Sequence, residues 1–377
     1  MSPMAFRLPF RLLGIPIEID LSLLIVLPLM AWLIGSDVMV FAKFLGLPAN
    51  SPLWQGSTPF LLGFLCALGL FVSVLVHELG HSLVAQRYGA KTQKITLWLL
   101  GGVAYSEEIP RTPGAEAVIA IAGPITSILL TGLLWLLHQA TPTWWVGTQF
   151  VLGYLGLVNL MLALFNLLPA LPLDGGRVLR SLLALTMPYA RATQIAAQVS
   201  TILALLMGLW GFMVLNVWLM LIAFFVYTAG TSEARYATLS EGLKGFSVRN
   251  LMTPNVEVVP PQMTARELLK KMAAERHTCY PVIDLYGKPL GLVHLQHLHN
   301  VEPEQPVRDF LQSPAPTIGP EASALEALKQ VSQSPLGRLV VVDAEHIVGI
   351  LSRSDLLRAI ELQTVEQDLR RNSQPQR

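Results

Sequence analysis

Hydrophobic and polar positions divide the chain into two unlike parts. Up to about residue 230, apolar residues run in blocks long enough to cross a bilayer as helices, whereas the remainder mixes short apolar runs with charged residues. The predicted spans are residues 21–34, 60–85, 117–137, 150–168, 195–213 and 214–227. The last two nearly run together, so five spans are an alternative to six. The pattern predicts a multi-span α-helical membrane domain of about six transmembrane helices, followed by a soluble α/β domain.

A short alternating segment follows the second span. Ile95, Leu97 and Leu99 alternate with polar or exposed positions before Gly101 and Gly102, which is typical of a β-hairpin. At a membrane edge, the unpaired backbone groups of a hairpin could pair with an extended substrate. A plain connecting loop is the alternative.

The polar part contains an internal repeat. Val248-Arg249 recurs as Val307-Arg308, an offset of about 59 residues, and each copy reads strand, helix, strand, strand, helix. Two such copies can bury their apolar faces against each other. The expected division is residues 1–230 for the membrane domain, 231–245 for a linker, 246–303 and 304–363 for the two repeats and 364–377 for a polar tail. Residues 368–377 are expected to be disordered.

Composition supports this division. Hydrophobic residues make up 53% of the 377 residues and charged residues only 14%, as in a membrane protein. The net charge of +1 and the scattered basic residues argue against a nucleic-acid partner. Cys66 and Cys279 suggest no disulfide framework and are expected to be small buried hydrophobic residues. The N-terminus has none of the features of a cleaved secretory signal, so we expect the first span to be retained.

The second span ends on the string HELGH. Two imidazoles at positions i and i+4, here His77 and His81, project from one face of a helix and can share a tetrahedral zinc. Glu78 lies close enough to take a proton from the attacking water and pass it to the leaving amine. The less specific interpretation is a polar patch at a helix end.

A catalytic zinc needs a third protein ligand, and Asp174 is the best candidate. Lys and Arg lie on alternate loops of the chain, so the positive-inside rule puts both termini in the cytoplasm. The second and fourth spans then both run inward and bring HELGH and Asp174 to one depth. The neighbouring Pro172 and Gly175-Gly176 break helix and allow a turn beside a cavity. A simple turn residue is the alternative for Asp174.

Two asparagines lie in the fourth span. The amide of Asn166 could hold a substrate carbonyl or stabilise an oxyanion. An interhelical hydrogen bond is the alternative for Asn166 and the favoured interpretation for Asn159.

Four motifs occur in a specific order along the membrane part of the chain. HELGH at the end of a span, GGVA in the next loop, AGP in the third span and FNLLPALPLDGGR in the fourth together resemble the site-2 protease family of intramembrane zinc metalloproteases. The resemblance covers about residues 1–230, and the combination is much more specific than HELGH alone.

The resemblance implies roles for individual residues. Zinc would be held by His77, His81 and Asp174, Glu78 would be the catalytic base and Asn166 would contact the substrate backbone. The hairpin after the second span would help to present the substrate. Substrates of such a protease would be single-span membrane proteins already trimmed by another protease, often anti-sigma factors or membrane-tethered regulators.

The repeated part resembles a pair of CBS domains. GILSRSDLL at residues 349–357 matches the closing motif of that module, and such pairs often bind adenine nucleotides. The resemblance implies that Ser352 and Asp355 face ribose and phosphate groups. The first copy departs from the motif, with His294 and His297 at the equivalent positions. A purely structural or dimerising module, joining two copies into a homodimer, is the alternative.

The leading hypothesis is an intramembrane zinc endopeptidase that cuts a membrane protein near the cytoplasmic end of a transmembrane segment. Nucleotide binding to the CBS pair would regulate it. We expect a multi-pass protein of the bacterial inner membrane with both termini cytoplasmic. The alternative is a CBS-gated transporter or channel, because intramembrane His, Glu and Asp also mark ion paths. The lack of charged residues in the other spans leaves no evident relay, and a catalytically inactive scaffold is disfavoured because every required residue is present.

Overall fold

The apolar blocks form long helices. In the computed structural model, which describes residues 5–98, 101–106 and 114–372, the helices of the first part are α1 (Ser22–Ser36), α2 (Val38–Phe44), α3 (Thr58–Arg87), α4 (Ala115–Ala140), α5 (Val146–Asn166), α6 (Asp174–Leu183), α7 (Tyr189–Met213) and α8 (Val217–Gly242). Of the described helices, five are long and apolar enough to cross a membrane, or six if α1 and α2, bent by 60°, form one span. The predicted multi-span α-helical domain is confirmed. The uncertainty in the count lies at α1–α2, since α7 and α8 are separate helices.

The chain separates into two units, Met1–Arg235 and Tyr236–Arg377. In the first unit, α3 packs against α1, α4 and α5, and α4 also packs against α6. Large apolar side chains such as Leu129, Leu136 and Leu205 point outward and are exposed, as suits contact with lipid. The interior of this unit is therefore built around α3 and α4.

A four-stranded sheet lies beside α3. Its strands are β1 (Ala5–Leu12), β2 (Ile15–Asp20), β3 (Thr92–Trp98) and β4 (Gly101–Ser106), in the order β1-β2-β3-β4. The antiparallel pair β3–β4 confirms the predicted hairpin, although Gly101 and Gly102 begin β4 instead of forming the turn, and Leu99 lies outside the described residues. The sequence interpretation missed β1 and β2. Their place in the sheet depends on the parallel pairing of β2 with β3, which are separated by three helices along the chain.

The second unit contains the two repeats. Its elements are α9 (Val248–Leu251), β5 (Thr253–Pro254), α10 (Ala265–Glu275), β6 (Cys279–Ile283), β7 (Pro289–His294), β8 (Thr317–Ile318), α11 (Ala324–Gln333), β9 (Arg338–Asp343), β10 (His346–Ser352) and α12 (Arg353–Asn372). Strands β5, β10, β9 and β8 form one sheet, and β6 pairs with β7. Cys279 and Leu292 of the first copy pack with Val340 of the second, so the copies bury apolar faces against each other as predicted.

Two local expectations are corrected. The helix predicted to close the first copy is a single 3-10 turn, Leu295–Leu298, which contains His297 and is flanked by His294 and His299, and histidine has little helix preference. The linker and the polar tail stay predictions as parts of the domain division. Residues 368–372, expected to be disordered, belong to α12, and residues 231–242 of the expected linker form the end of α8. Both segments are rich in Ala, Glu, Leu or Arg, which favour helix.

Candidate metal centre

Two imidazoles converge near the C-terminal end of α3. His77 and His81 lie one turn apart, and their rings meet edge to face with centroids 4.8 Å apart. The Nε2 atoms of the two rings are 3.1 Å apart. His77 is buried, with 4% of its surface exposed, so this polar pair sits inside the apolar helical unit. The i, i+4 spacing places both rings on one face of α3, as the sequence predicts.

Asp174 joins them from the first turn of α6. Its Oδ2 lies 3.2 Å from the Nε2 atom of His77 and 3.2 Å from that of His81. The backbone before it is held by Ser200 of α7, whose hydroxyl accepts a hydrogen bond from the amide of Leu171 at 2.6 Å. A side chain at Gly175 would meet the carbonyl oxygen of Leu167 at 2.2 Å. Only glycine therefore lets the preceding loop lie on the start of α6 and aim Asp174 at the histidines.

The three donor atoms have the spacing that a metal ion needs. With bonds of about 2.0–2.1 Å to nitrogen and oxygen, neighbouring ligands of a tetrahedral zinc lie about 3.3–3.4 Å apart. The observed separations of 3.1–3.2 Å come close to that edge length. Two imidazoles and one carboxylate also form a donor set that leaves a fourth position open. The residues fit a catalytic zinc.

Each imidazole is oriented through its other nitrogen. His77 Nδ1 is 2.9 Å from the hydroxyl oxygen of Ser127, and His81 Nδ1 is 2.8 Å from the carbonyl oxygen of Ile119. Because a carbonyl can only accept, His81 Nδ1 carries the proton, and the neutral ring keeps the lone pair on Nε2 for a metal. Both partners belong to α4. The sequence interpretation missed them, since nothing in the local pattern marks Ser127 as different from other small polar residues in membrane helices.

Glu78 lies where α3 faces the edge strand β4. A side chain at Gly102 of β4 would come within 2.8 Å of Glu78 Cγ and 3.1 Å of Val74 Cγ1. The backbone of β4 thus lies directly on the helix face that carries Glu78. Among the described strands, β4 ends the sheet on this side. The edge of the sheet formed by β4 therefore lies beside Glu78.

The two asparagines of α5 make intramolecular hydrogen bonds. Asn159 is fully buried, and its amide donates to Ser73 Oγ at 2.9 Å. This bond joins α5 to α3 and is the interhelical hydrogen bond that the sequence favours for Asn159. Asn166 is half-buried at the end of α5, and its amide donates to the carbonyl of Leu162 at 3.0 Å. Among the described residues, the bond of Asn166 lies within its own helix and does not reach His77, His81 or Asp174.

In the second unit, the residues proposed for nucleotide contact cap a helix. Ser352 Oγ donates to Asp355 Oδ2 at 2.6 Å and the Ser352 amide donates to the same oxygen at 2.8 Å, at the start of α12. His294 and His297 occupy the equivalent corner of the first copy, where the Gln296 amide donates to His294 Nδ1 at 3.1 Å. Burial, with smaller effects from the charges of Arg338 and His297, lowers the pKa of His294. Within residues 5–98, 101–106 and 114–372, no second group of three His, Cys, Asp or Glu side chains could hold a metal.

Comparison with known proteins agrees with both halves of this description. The model of peptidase family M50 matches residues 65–143 and 136–207, and the CBS domain model matches residues 248–303 and 307–362. Zinc metalloprotease MJ0392 of Methanocaldococcus jannaschii is 35% identical over 96% of this chain and 98% of its own length. Stage IV sporulation protein FB of Bacillus subtilis is 31% identical over 43% of this chain and 55% of its own. A solved site-2 protease from Methanocaldococcus jannaschii covers 61% of this chain and 95% of its own, with 37% identity and a TM-score of 0.43.

Proposed function

Because the chain belongs to peptidase family M50 of zinc metalloproteases, we propose that it hydrolyses a peptide bond in a transmembrane segment of another membrane protein. The observation that carries this proposal is the approach of two Nε2 atoms and one carboxylate oxygen to within 3.1–3.2 Å of one another among helices apolar enough to span a bilayer. Family membership makes the chain an enzyme and leaves the transporter alternative without support.

We assign the zinc ligands to His77, His81 and Asp174. Zinc held there would polarise the substrate carbonyl and promote the loss of a proton from the attacking water near neutral pH. The protein supplies two imidazoles held by partners on α4, with His81 protonated at Nδ1, and one carboxylate, and the surrounding apolar helices limit the access of bulk water. Glu78, between the two histidines on α3, accepts the proton of the attacking water and delivers it to the leaving nitrogen.

The substrate reaches these groups in an extended form. A transmembrane helix hides its peptide bonds in its own hydrogen bonds, so the segment must unwind before it can be cut. Strand β4 offers a backbone edge beside Glu78, and pairing with that edge would hold the unwound segment. We assign Asn166 the role of donating its amide to a substrate carbonyl, which requires it to exchange its present bond to Leu162. We propose single-span proteins that have lost their outer domain as substrates, as the resemblance to site-2 proteases implies.

Proteoliposomes test the activity. The purified chain is reconstituted with a single-span protein, either intact or without its outer domain, and fragments are identified by mass spectrometry. Wild type is expected to release a cytosolic fragment from the trimmed substrate, and Glu78→Gln to be slower by about 10²–10⁴-fold while keeping its zinc. Glu241→Gln, the same exchange in the second unit, serves as control. Equal cleavage rates of wild type and Glu78→Gln, or a purified wild type that binds no zinc, would contradict the proposal.

We further propose that the CBS pair binds an adenine nucleotide at the second copy. Ser352 and Asp355 form a hydroxyl and carboxylate pair suited to ribose hydroxyls, and the N-terminus of α12, where they lie, suits a phosphate. The histidines of the first copy lack that chemistry, so one site per chain is expected.

Calorimetric titration of the full chain with AMP, ADP and ATP tests this second proposal. Asp355→Ala should abolish binding. Thr264→Ala is the control for the loss of a helix cap alone, because Thr264 and Glu267 form the equivalent side-chain cap at the start of α10. Binding unchanged in Asp355→Ala, or absent from wild type, argues for a structural or dimerising module.

A further inference from the structure

One face of α4 touches both histidines although it contributes no metal ligand. The carbonyl of Ile119 accepts from His81, the hydroxyl of Ser127 contacts His77, and Gly123 lies midway between them. The spacing of four residues puts all three on one stripe of the helix. Helix α4 runs antiparallel to α3 here, because His77 contacts Ser127 and His81 contacts the earlier Ile119.

Gly123 is the least replaceable position of this stripe. A Cβ atom there would lie 2.2 Å from His81 Nε2, 2.5 Å from His81 Cε1 and 2.7 Å from His77 Nε2. Non-bonded carbon atoms need more than 3.0 Å, so a methyl group would compete with the donor atoms for the space beside them. An ion held by both Nε2 atoms would lie next to that space and would be crowded by such a methyl group. Glycine at 123 keeps it open.

A proline follows Gly123 within α4. Pro124 has no N–H to donate to the carbonyl of Ala120, so one helical hydrogen bond is missing in the turn before it. The carbonyl of Ile119, the residue before Ala120, lies 2.8 Å from His81 Nδ1. The AGP string therefore places a missing helical bond and a missing side chain on the part of α4 that contacts the histidines.

We propose that α4 is the template of the metal site: Gly123 reserves the volume of the ion, and Ser127 is a positioning residue that holds His77 with its Nε2 lone pair facing that volume. The inference rests on the assignment of His77, His81 and Asp174 as zinc ligands. Helix α4, the third predicted span, would thus contribute to metal affinity in addition to the ligands in HELGH and at Asp174.

Zinc affinity of the full chain in detergent tests the template, measured by competition with a chromophoric chelator. Gly123→Ala is expected to weaken zinc binding by more than about 100-fold, and Ser127→Ala by about 10–100-fold, the usual effect of removing a partner that orients a histidine ligand. Ser127→Thr keeps the hydroxyl and should recover most of the loss. The visible spectrum of the Co²⁺-substituted protein should lose its tetrahedral bands in Gly123→Ala.

Two control variants lie on the same helix. Gly132→Ala adds a methyl group where nothing lies within 4 Å. Thr131→Val removes a hydroxyl that donates to the carbonyl of Ser127 at 2.9 Å and contacts no histidine. Both should bind zinc as wild type does, and thermal unfolding of every variant checks that it is folded.

The outcomes separate the template from the ligand assignment. If His77→Ala loses zinc while folded Gly123→Ala and Ser127→Ala bind it as tightly as wild type, the template is wrong and the ligands stand. If Gly123→Ala does not fold, Ser127→Ala against Thr131→Val decides alone. If wild type and His77→Ala bind zinc equally, the ligand assignment fails, and the template with it.

Discussion

At the scale of single residues, the site is an arrangement of lone pairs. With both rings neutral and protonated at Nδ1, two Nε2 lone pairs and a carboxylate oxygen face one another at 3.1–3.2 Å. Such atoms repel unless a cation or an added proton lies among them. Ser127 and the Ile119 carbonyl hold the rings in this orientation from behind. The protein thus maintains an arrangement that is favourable only with a positive charge at its centre.

Metal removal should therefore destabilise the membrane unit. A chelator is expected to lower the thermal unfolding midpoint, and zinc at about 100 times its dissociation constant to restore about 2.7 kcal/mol. Mg²⁺ should not replace it, because that ion prefers oxygen ligands. Unfolding of the full chain in detergent, followed by tryptophan fluorescence, provides the measurement. A midpoint that ignores both chelator and zinc would contradict the proposed ligand set.

His294 makes the second unit sensitive to acid. Its pKa is lowered in the folded protein, chiefly by burial, whereas in the unfolded chain it lies at about 6.5. As the pH falls through about 6.5, the unfolded chain therefore takes up a proton at His294 before the folded protein does. The free energy of unfolding is thus highest above about pH 6.5 and decreases as the medium is acidified.

Hydrogen exchange checks this pH dependence. Protection of the β6–β7 amides should fall between pH 7.5 and 5.5, after correction for intrinsic exchange, and fall less in His294→Gln. The exposed His299 provides the control His299→Gln, which should follow wild type. An identical pH dependence in wild type and His294→Gln would show that another group dominates.

At the scale of elements, the short helix α6 is held at both ends. Asp174 at its start faces the histidines, and Arg180, with 5% of its surface exposed, lies near its end. The guanidinium pairs with Glu116 of α4 and, at 2.6 Å, with Glu233 of α8. The same group lies 5.1 Å from the centre of the Tyr189 ring. Three neighbouring helices thus set the position of the helix that carries Asp174.

Arg180→Gln should therefore weaken both the fold and the metal site. The exchange leaves Glu116 and Glu233 beside each other without a cation, which in a buried network costs about 3–5 kcal/mol. We expect a lower unfolding midpoint and weaker zinc binding, the latter because Asp174 shifts with α6. The exposed Arg191 provides the matched exchange Arg191→Gln, which should change neither. Unchanged zinc affinity in a destabilised Arg180→Gln would separate the anchoring of α6 from the metal site.

At the scale of the whole molecule, the chain joins a membrane unit to a CBS pair through α8. Lys and Arg on alternate loops predict that both termini are cytoplasmic, and this orientation, the bacterial inner membrane and a homodimer all remain predictions. Fusions to alkaline phosphatase, which is active only outside the cytoplasm, measure the orientation. A fusion after residue 143 should be active, and one after residue 235 inactive. Activity at residue 235 would reverse the topology.

Much of the site could be anticipated because its signals are local or follow from topology. The spacing of His77 and His81 sets a shared helix face, and span direction puts Asp174 at their depth. Ser127 gave no such signal, and the AGP string marked Gly123 only as part of the family resemblance, since the roles of both residues depend on how α4 is rotated against α3. The strands β1 and β2 were missed for a similar reason, because β2 pairs with a strand far along the chain.

The sequence by itself determined the membrane spans, the repeated CBS pair, the zinc motif and the carboxylate to match it, because hydrophobic length, repetition and helical period are written along one dimension. Only the tertiary structure decided that the donors meet at 3.1–3.2 Å, that β4 lies on Glu78, and that α4 leaves a vacancy at Gly123. Those facts depend on interhelical distance and rotation, which many side chains settle together through close packing.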